Sequence, residues 1–461
     1  MSIIEMFFSY FQMLNSPAAL IKVFCPSKGN PMISHEARHP LETLNPKVRA
    51  RFPMIDRDSR GNPRVYLNTG AGSLTVDTAA EAARDAQGRL NPMPGVVVTG
   101  EAETAALHAR VRDLVADFLH ARSGREVSFH QSATAALFNL AFGLRSVLSP
   151  SANLVVTDLD HMANISPWET VWGEGRGIEV RRARLTAEGT LDIAHLLSLV
   201  DARTGLLAVT SASNGTGSIV RLREVVAAVR RKAPDCLVAV DAVHHAPHGV
   251  IDVRESDVDF LVFSGYKVFG PMLGVFWGKA ELLERLRPYR VETNKDVLPG
   301  KFEMGMLNNA SLASLEAALE YLLWLAGLAA GSNSNLPDRP SKFRFVMTSI
   351  AAYETGLTRR VLEGFQRLDP RRFRCFGIAD PVRSGERVPT FAFDIGGLSA
   401  TETKQRLWEE ASIQIADGNH YSAAVVRHLG RPEGICRASF AHYDNAAAVG
   451  LFLGALGRLK T

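Results

Sequence analysis

The chain has 461 residues, of which 46% are hydrophobic and 22% are charged, and its formal net charge is +4 at pH 7. This composition is typical of a globular enzyme and excludes a disordered or fibrous chain, while the length predicts two domains. The basic clusters are scattered and interleaved with acidic residues, so we expect no nucleic-acid partner.

The cysteines and the N-terminus bear on the compartment. The chain has four cysteines: Cys25, Cys236, Cys375 and Cys436. They show neither metal-ligand spacing nor a disulfide framework, which predicts a reducing, cytoplasmic location. We find no apolar run long enough to span a membrane, and residues 3–24 lack the cationic region of a signal peptide. We interpret residues 1–55 as an N-terminal arm, in which Met32 is a candidate alternative start.

The first predicted elements of the enzyme body are short. Residues 41–52 have the pattern of an amphipathic helix, and residues 65–72 indicate a brief strand that runs into a glycine turn and includes Asn68. A helix is predicted at 101–119, followed by a strand at 126–130.

A second helix opens with small and hydroxyl residues at 131–136. Free N–H groups and the positive end of the helix dipole at such a start favour a phosphate. The same residues are also those of an ordinary helix N-terminus.

Two further strands are each followed by a candidate site residue. A strand at 153–157 precedes His161, and a strand at 206–211 precedes Asn214. The simpler interpretation of His161 is a strand-end histidine that bonds a backbone carbonyl and has no role at a site.

The most informative stretch holds two short apolar runs. Residues 237–240 end in Asp241, and residues 260–263 end in Ser264, three residues before Lys267. As buried parallel strands, both runs would direct these groups into the crevice where such sheets bind ligands. Pyridoxal phosphate requires this pair, since a lysine amine bonds its aldehyde and an acidic residue keeps its ring nitrogen protonated. A helix-capping aspartate and a surface lysine are the alternative.

A histidine cluster follows Asp241. His244 and His248 are four residues apart, but Pro247 lies between them and disfavours one helix face. We therefore predict no metal site.

The motifs around these residues resemble a known family. Ser264-Gly265-Tyr266-Lys267, followed by Phe269-Gly270-Pro271, is similar to the cofactor-lysine motif of class V aminotransferases and cysteine desulfurases. Asp241-Ala-Val-His244, 26 residues upstream of that lysine, is similar to their Asp-x-x-Gln/His motif. The resemblance runs from about Tyr66 to the C-terminus and is strongest to the cysteine desulfurase-like branch.

This resemblance implies a fold. We expect an α/β enzyme of fold type I, with a large domain at 56–330 whose mostly parallel seven-stranded sheet is sandwiched by helices. A smaller α+β domain is expected at 341–461. Residues 327–341 are rich in Gly, Ser, Asn and Pro and are the predicted linker, with helices at 311–328 and 349–368 on either side.

The resemblance also implies pyridoxal 5'-phosphate as cofactor and a set of residues that bind it. These are Ala133, Thr134, His161, Asn214, Asp241, His244, Ser264, Tyr266 and Lys267. Three of them, Lys267, His161 and Asp241, are the expected catalytic residues, with the His161 ring stacked on the cofactor.

Three residues are expected to contact the substrate: Arg437, Tyr421 and Asn68. Arg437 matches the arginine with which the family binds an amino-acid carboxylate, for which a guanidinium fork is well suited. In cysteine desulfurases the loop at 413–422 carries the sulfur-accepting cysteine, whose place is taken here by Tyr421. Cys436 should face away from the site if Arg437 faces into it. The persulfide route therefore lacks its nucleophile.

The leading hypothesis is a carbon–sulfur lyase acting on cysteine or a cysteine S-conjugate, in a homodimer and within specialised metabolite biosynthesis. An aminotransferase, an amino-acid epimerase or a decarboxylating or deaminating enzyme is the alternative, because one cofactor supports all of these reactions. A non-catalytic relative is a further alternative, against which the presence of Asp241, Lys267, His161 and Arg437 argues.

Overall fold

The computed structural model describes residues 39–90, 92–294, 296–331 and 335–459. Most of the predicted arm, with Cys25 and Met32, lies outside the described residues. From His39 onward the chain forms one compact unit. The boundaries proposed for two domains within it stay a prediction.

Twelve strands are described. They are β1 (Val65–Tyr66), β2 (Val127–His130), β3 (Asn153–Thr157), β4 (Val180–Ala183), β5 (Thr204–Thr210), β6 (Leu237–Asp241), β7 (Phe260–Ser264), β8 (Gly274–Gly278), β9 (Phe373–Phe376), β10 (Thr390–Ile395), β11 (Ile413–Gln414) and β12 (Cys436–Ser439).

The helices surround these strands. They are α1 (Pro40–Arg49), α2 (Asp77–Arg89), α3 (Thr99–Phe118), α4 (Ala133–Gly143), α5 (Ser166–Trp168), α6 (Ile193–Leu199), α7 (Leu222–Lys232), α8 (Ala280–Leu283), α9 (Asn309–Ala330), α10 (Arg339–Phe365), α11 (Ala400–Ala411), α12 (Ala423–His428) and α13 (Ala446–Arg458).

The central sheet has seven strands in the order β2-β8-β7-β6-β5-β3-β4. Strand β8 runs antiparallel to both of its neighbours, β2 and β7. The other adjacent strands pair in parallel. Strands β3 and β7 are buried along their whole length, as expected when helices cover both faces of a parallel sheet. The predicted mostly parallel seven-stranded α/β fold is confirmed.

Two smaller sheets complete the fold. Strands β12, β10 and β9 form an antiparallel sheet in the C-terminal part of the chain. Strand β1 pairs in parallel with β11, which places Val65 opposite Ile413. The N-terminal and C-terminal parts of the described chain are therefore joined by backbone hydrogen bonds.

The predicted linker at 327–341 is wrong at both ends. Helix α9 continues to Ala330, and α10 begins at Arg339, ten residues before the predicted start of that helix. The Asp338 side chain accepts the N–H of Ser341 at 2.8 Å, and Pro340 occupies the first turn, where its missing N–H costs nothing. Asp and Pro in this stretch thus begin a helix.

The prediction that no apolar segment is long enough to span a membrane is wrong for helix α9. Its 22 residues have the length and hydropathy of a membrane span. Half of the most apolar stretch of this helix is buried, however, and the helix packs against α2, α3 and α10. Burial within the fold therefore accounts for its apolar composition.

Candidate active site

A cavity of about 1200 Å³ lies at the carboxyl ends of β5, β6 and β7. Thr210, Asp241 and Ser264, the last residues of these strands, all line it. It is lined by all of the predicted site residues except Asn68. The parallel sheet thus brings together groups that are far apart in the sequence, at the position where such sheets bind ligands.

Lys267 lies in the short turn that follows β7 and is 6% exposed. Its Nζ donates a hydrogen bond to the carbonyl oxygen of Gly70. The pKa of Lys267 is lowered to about 7, chiefly by burial and also by the positive charge of Arg437, while Asp241 acts in the opposite direction. A large fraction of this amine is therefore neutral near pH 7, as a nucleophile or base requires.

Asp241 ends strand β6 and is 5% exposed. Its Oδ1 accepts the backbone N–H of Val243 at 2.9 Å. Burial raises the pKa of Asp241 to about 6, opposed by that N–H and by the charge of Lys267. A further positive charge at the site, in addition to that of Lys267, would lower the pKa of Asp241 and favour its ionised carboxylate.

The His161 ring has a fixed tautomer. Its Nδ1 accepts the N–H of Ala163 at 3.0 Å, so in the neutral ring the proton is on Nε2. The pKa of His161 is lowered to about 4, chiefly by burial and also by the charges of Lys267 and Arg437. At neutral pH this residue therefore presents an uncharged ring to the cavity.

The Tyr421 ring stacks on His161, with ring centroids 5.3 Å apart and an angle of 24° between the planes. Tyr421 is nonetheless 70% exposed. Its backbone is in the left-handed region, with φ of 56°, as is that of His420, with φ of 54°. Left-handed backbone in two successive residues other than glycine is strained and is found mainly at functional sites.

Asn214 holds this strained loop in place. Its Nδ2 donates to the carbonyl oxygen of His420 at 2.8 Å, and its Oδ1 accepts from the Ser422 hydroxyl at 2.6 Å. The loop is also bonded to the segment after His161, because the N–H of Met162 donates to the carbonyl oxygen of Tyr421 at 2.8 Å. The second hydrogen of the Asn214 amide remains available to a ligand. The expected contact of Asn214 with the cofactor stays a prediction.

Arg437 projects from β12 into the cavity and is 3% exposed. Its Nη1 donates to the carbonyl oxygen of Asn214 at 2.8 Å, but its Nε has no hydrogen-bond partner among the described residues. The Ser439 hydroxyl and Asn68 Oδ1 are likewise buried without partners there. Unpaired buried polar atoms are costly, so this corner is suited to a polar ligand group.

Gly70 lies directly against this corner. A Cβ at Gly70 would lie 2.5 Å from the Ser439 hydroxyl and 3.0 Å from Cζ of Arg437. Gly70 was not predicted as a site residue, although the Gly-Ala-Gly turn after β1 marks a close backbone approach. Asn68 stays a predicted substrate contact, but it does not line the cavity.

The opposite end of the cavity is the N-terminus of α4. Ser132 caps this helix by accepting the N–H of Ala135 at 3.1 Å. The N–H groups of Ala133 and Thr134 belong to the first turn, where the helix itself offers no acceptor. Gly274 packs so closely here that a Cβ would lie 2.6 Å from the nitrogen of Ala133. The lysine loop contributes Ser264 and Tyr266 to the same cavity.

The remaining predicted cofactor residue is His244. Its Nε2 lies 2.9 Å from the Thr390 hydroxyl, which leaves Nδ1 for a ligand. Across the described residues, we find no group of three or more His, Cys, Asp or Glu side chains placed to bind a metal ion.

The described cysteines lie away from this cavity. Cys236 and Cys436 are buried, and Cys375 is half-buried. The Sγ of Cys436 contacts the carbonyl oxygen of Ala400 at 3.4 Å, on the side of β12 opposite to Arg437. Cys25 is outside the described residues, and the cytoplasmic location stays a prediction.

The cavity residues fit the cofactor expected from the sequence. A buried lysine with a lowered pKa and a buried aspartate face one cavity, and free N–H groups suited to a phosphate lie at its other end. The volume suffices for a cofactor and a substrate together.

Comparisons with known proteins agree with this geometry. A family model described as Aminotransferase class-V matches residues 65–335. A cysteine desulfurase from Pectobacterium carotovorum is 31% identical over 439 residues, covering 91% of this chain and 98% of its own. The structure of the cysteine desulfurase CsdA from Escherichia coli has a TM-score of 0.73 and 26% identity, covering 90% and 98% of the two chains. That of a cysteine desulfurase from Thermococcus onnurineus has a TM-score of 0.76 and 23% identity, covering 89% and 97%.

The lowered pKa of Lys267 predicts its reactivity. In cofactor-free enzyme, acylation of Lys267 should rise with pH around a midpoint near 7, whereas an ordinary lysine has its midpoint near about 10.4. Asp241→Asn should move the midpoint lower, because the carboxylate raises the lysine pKa. Mass spectrometry of the peptide that contains Lys267 measures the extent of acylation at each pH.

Asp235→Asn is the matched control, since Asp235 is exposed ahead of the same strand. It should leave the midpoint unchanged. A midpoint near 10 in the unmodified chain would contradict the proposed environment of Lys267.

Proposed function

Since the chain belongs to the class V aminotransferase family and is a pyridoxal-phosphate-dependent enzyme of fold type I, we propose that it is a carbon–sulfur lyase. Its substrate would be L-cysteine or a cysteine S-conjugate, and its products a thiol, pyruvate and ammonia. A role in specialised metabolite biosynthesis is part of the same proposal.

The substrate class is supported by the relatives and by the cavity. The relatives that match nearly the whole chain are named cysteine desulfurases. Arg437, whose Nε has no partner among the described residues, offers donors to a carboxylate at one end of the cavity. An amino acid bound there would place its α-carbon on the side of the cavity that holds Lys267.

Among the described residues, no cysteine lines the cavity, and this observation carries the choice of a lyase. The loop at 418–422 presents Tyr421, and the described cysteines point elsewhere. Burial raises the pKa of the Cys436 thiol to about 12, so little thiolate is available even at that buried position. A phenol can donate or accept a proton but cannot take up sulfur as a persulfide.

The residues of this chain have distinct tasks in the proposed reaction. When bound, pyridoxal phosphate supplies an electron sink for the α-carbon of the amino acid. The Nζ of Lys267 takes the proton from that carbon, and Arg437 holds the carboxylate so that the correct bond is aligned for cleavage. Asp241 supplies the negative charge that favours a proton on the ring nitrogen, and the first turn of α4 binds the phosphate.

Residues with exposed apolar side chains support the proposal of a homodimer. Val96 and Val97 are each 90% exposed, Met272 is 76% exposed and Val291 is 67% exposed. Large apolar side chains that are this exposed commonly mark an interface between protein chains. A second copy of the chain is the proposed partner.

The central test is product analysis. Enzyme loaded with pyridoxal phosphate should release pyruvate and thiol in equal amounts from S-substituted L-cysteines. Lys267→Ala should reduce kcat by about 10²–10⁴-fold, the usual range for a lost general base. Pyruvate is measured by a coupled reduction and thiol by a colorimetric reagent.

Lys279→Ala serves as the control, because Lys279 lies outside the cavity and pairs with Asp257 and Asp259. Turnover that depends on an added keto acid would contradict the lyase and favour an aminotransferase. Deuterium uptake at the α-carbon without net loss of substrate would favour an epimerase.

Removal of all four cysteines tests the absence of persulfide chemistry. A variant with Cys25→Ser, Cys236→Ala, Cys375→Ala and Cys436→Ala should keep its kcat within about threefold of the wild type, because none of these thiols takes part in the chemistry. Pyruvate should remain the product. The proposal would be overturned if the wild type formed alanine and a trappable protein persulfide and this variant formed neither.

The homodimer is tested by mass. Analytical ultracentrifugation should give twice the chain mass of 50.2 kDa. Val96→Asp together with Val97→Asp should shift the equilibrium toward the monomer, because charged side chains are costly to bury at an interface. A single-chain mass at micromolar concentrations of the wild type would contradict the proposed dimer.

A further inference from the structure

A buried histidine–glutamate pair lies behind the cavity. The Nδ1 of His248 is 2.9 Å from Oε2 of Glu354, and each side chain is 2% exposed. His248 belongs to the turn that follows β6, and Glu354 is in the middle of α10. The two residues are 106 positions apart, and neither has been given a role in the chemistry proposed above.

The surroundings of Glu354 favour an uncharged carboxyl. Among the residues that the structure describes, no lysine or arginine pairs with it, and its Oε1 is buried without a hydrogen-bond partner. An ionised oxygen left in that state would be far more costly than the carbonyl oxygen of a neutral acid. Burial raises the pKa of Glu354 well above its usual range, against the effect of the backbone N–H of His442.

The imidazole of His248 is likewise suited to the neutral form. The pKa of His248 is lowered to about 3, chiefly by burial and also by the positive charge of Lys267. A protonated carboxyl would donate to Nδ1, which fixes the tautomer with the ring proton on Nε2. One proton shared in this way satisfies both groups without a buried charge.

This pair reaches the cavity through His244. The rings of His244 and His248 are in edge contact, with centroids 5.8 Å apart and an angle of 68° between their planes. His244 lines the cavity, and its pKa is lowered by burial and then by the charges of Lys267 and His248. Since Coulomb interactions act in both directions, a charge on His248 would act on Lys267 as well.

We propose that Glu354 is a positioning residue of this active site: it carries a proton that it donates to His248 Nδ1, so that His248 and His244 present neutral rings to the Lys267 side of the cavity. This inference rests on the proposed function only for its effect on the reaction. The location of the proton is independent of that function.

A neutral pair has a clear consequence for the site. A cation at His248 would be a third positive charge beside Lys267 and Arg437, and it would lower the lysine pKa below its present value. An unpaired anion at Glu354 would raise it. With the proton on Glu354, the histidine–glutamate pair carries no charge, and the negative charge of Asp241 raises the lysine pKa.

The other titratable groups around the pair come from three segments. On the turn after β6 they are His244 and His245. On α10 the neighbour is Tyr353, and in the segment after β12 the neighbours are His442, Tyr443 and Asp444. Burial raises the pKa of Asp444 to about 8, and Glu354 raises it further. A neutral Glu354 therefore also avoids repulsion between two buried carboxylates.

Infrared spectroscopy tests the location of the proton. Full-length protein, both loaded with pyridoxal phosphate and free of it, should show a protonated-carboxyl C=O band at pH 8 that shifts in deuterated water. This band should lose the contribution of one carboxyl in Glu354→Gln, although Asp444, whose pKa is about 8, still contributes to it. It should keep its full intensity in Glu363→Gln, a change of a glutamate on the same helix. A band that persists unchanged in Glu354→Gln would overturn the proposal, whether or not the protein turns over any amino acid.

The visible absorption of the loaded enzyme tests the effect on the site. The pH midpoint of the cofactor band should be the same in the wild type and in Glu354→Gln, because an amide also donates to His248 Nδ1. In Glu354→Ala, water can fill the vacated space and His248 can take up a proton. Its charge should lower the midpoint by about one pH unit, the size expected for one added charge in a protein interior.

The outcomes separate the alternatives. Equal shifts in Glu354→Gln and Glu354→Ala would mean that Glu354 is an anion paired with a cationic His248, and would overturn the proposal. No shift in either variant would mean that the pair does not act on the site. Thermal unfolding of each variant verifies that a shift comes from a folded protein. Failure to cleave S-substituted cysteines would overturn the lyase and leave both spectroscopic results interpretable.

Discussion

Charge balance among Lys267, Asp241 and Arg437 in one water-poor cavity is the constraint on which the site depends. Burial disfavours the charged form of all three groups, and each pKa is displaced in that direction. Asp241 raises the pKa of Lys267, whereas Arg437 lowers it. The amine is consequently held near the middle of its titration at physiological pH, where small changes in charge decide whether it is a nucleophile or a cation.

The fold satisfies this constraint with elements from the whole described chain. The carboxyl ends of β6 and β7 bring Asp241 and Lys267 to the cavity, and β12 brings Arg437. Gly70 fills the space between them, where its carbonyl contacts Lys267 and its missing side chain leaves room for the guanidinium. The strained loop that carries Tyr421 is bonded to Asn214, which also accepts a hydrogen bond from Arg437. Removal of one of these contacts would therefore affect several site residues together.

Much of this arrangement could be predicted from the sequence, because local patterns carried it. Short apolar runs that end in Asp241 and Ser264 marked the strands, and the motif around Lys267 marked the cofactor site. The linker was predicted wrongly because Asp338 and Pro340 are typical of loops as well as of helix starts.

Long-range contacts were not predictable in this way. Glu354 lies in a helix that is mostly apolar on its buried face, and the contact with His248 depends on the packing of α10 against the turn after β6. The engagement of Asn214 by the loop at 418–422 likewise joins segments about 200 residues apart. Sequence periodicity reports which face of an element is buried, but it does not report which residue of a distant element lies opposite.

The pairing of β1 with β11, and the contact of Gly70 with Arg437 and Ser439, have a consequence for biosynthesis. The residues at the Arg437 end of the cavity come from distant parts of the described chain. During translation, a ribosome-bound chain can form most of the central sheet while this end of the cavity is still open. The cavity is complete only once the segment around residue 437 has emerged, so the binding site matures later than most of the central sheet.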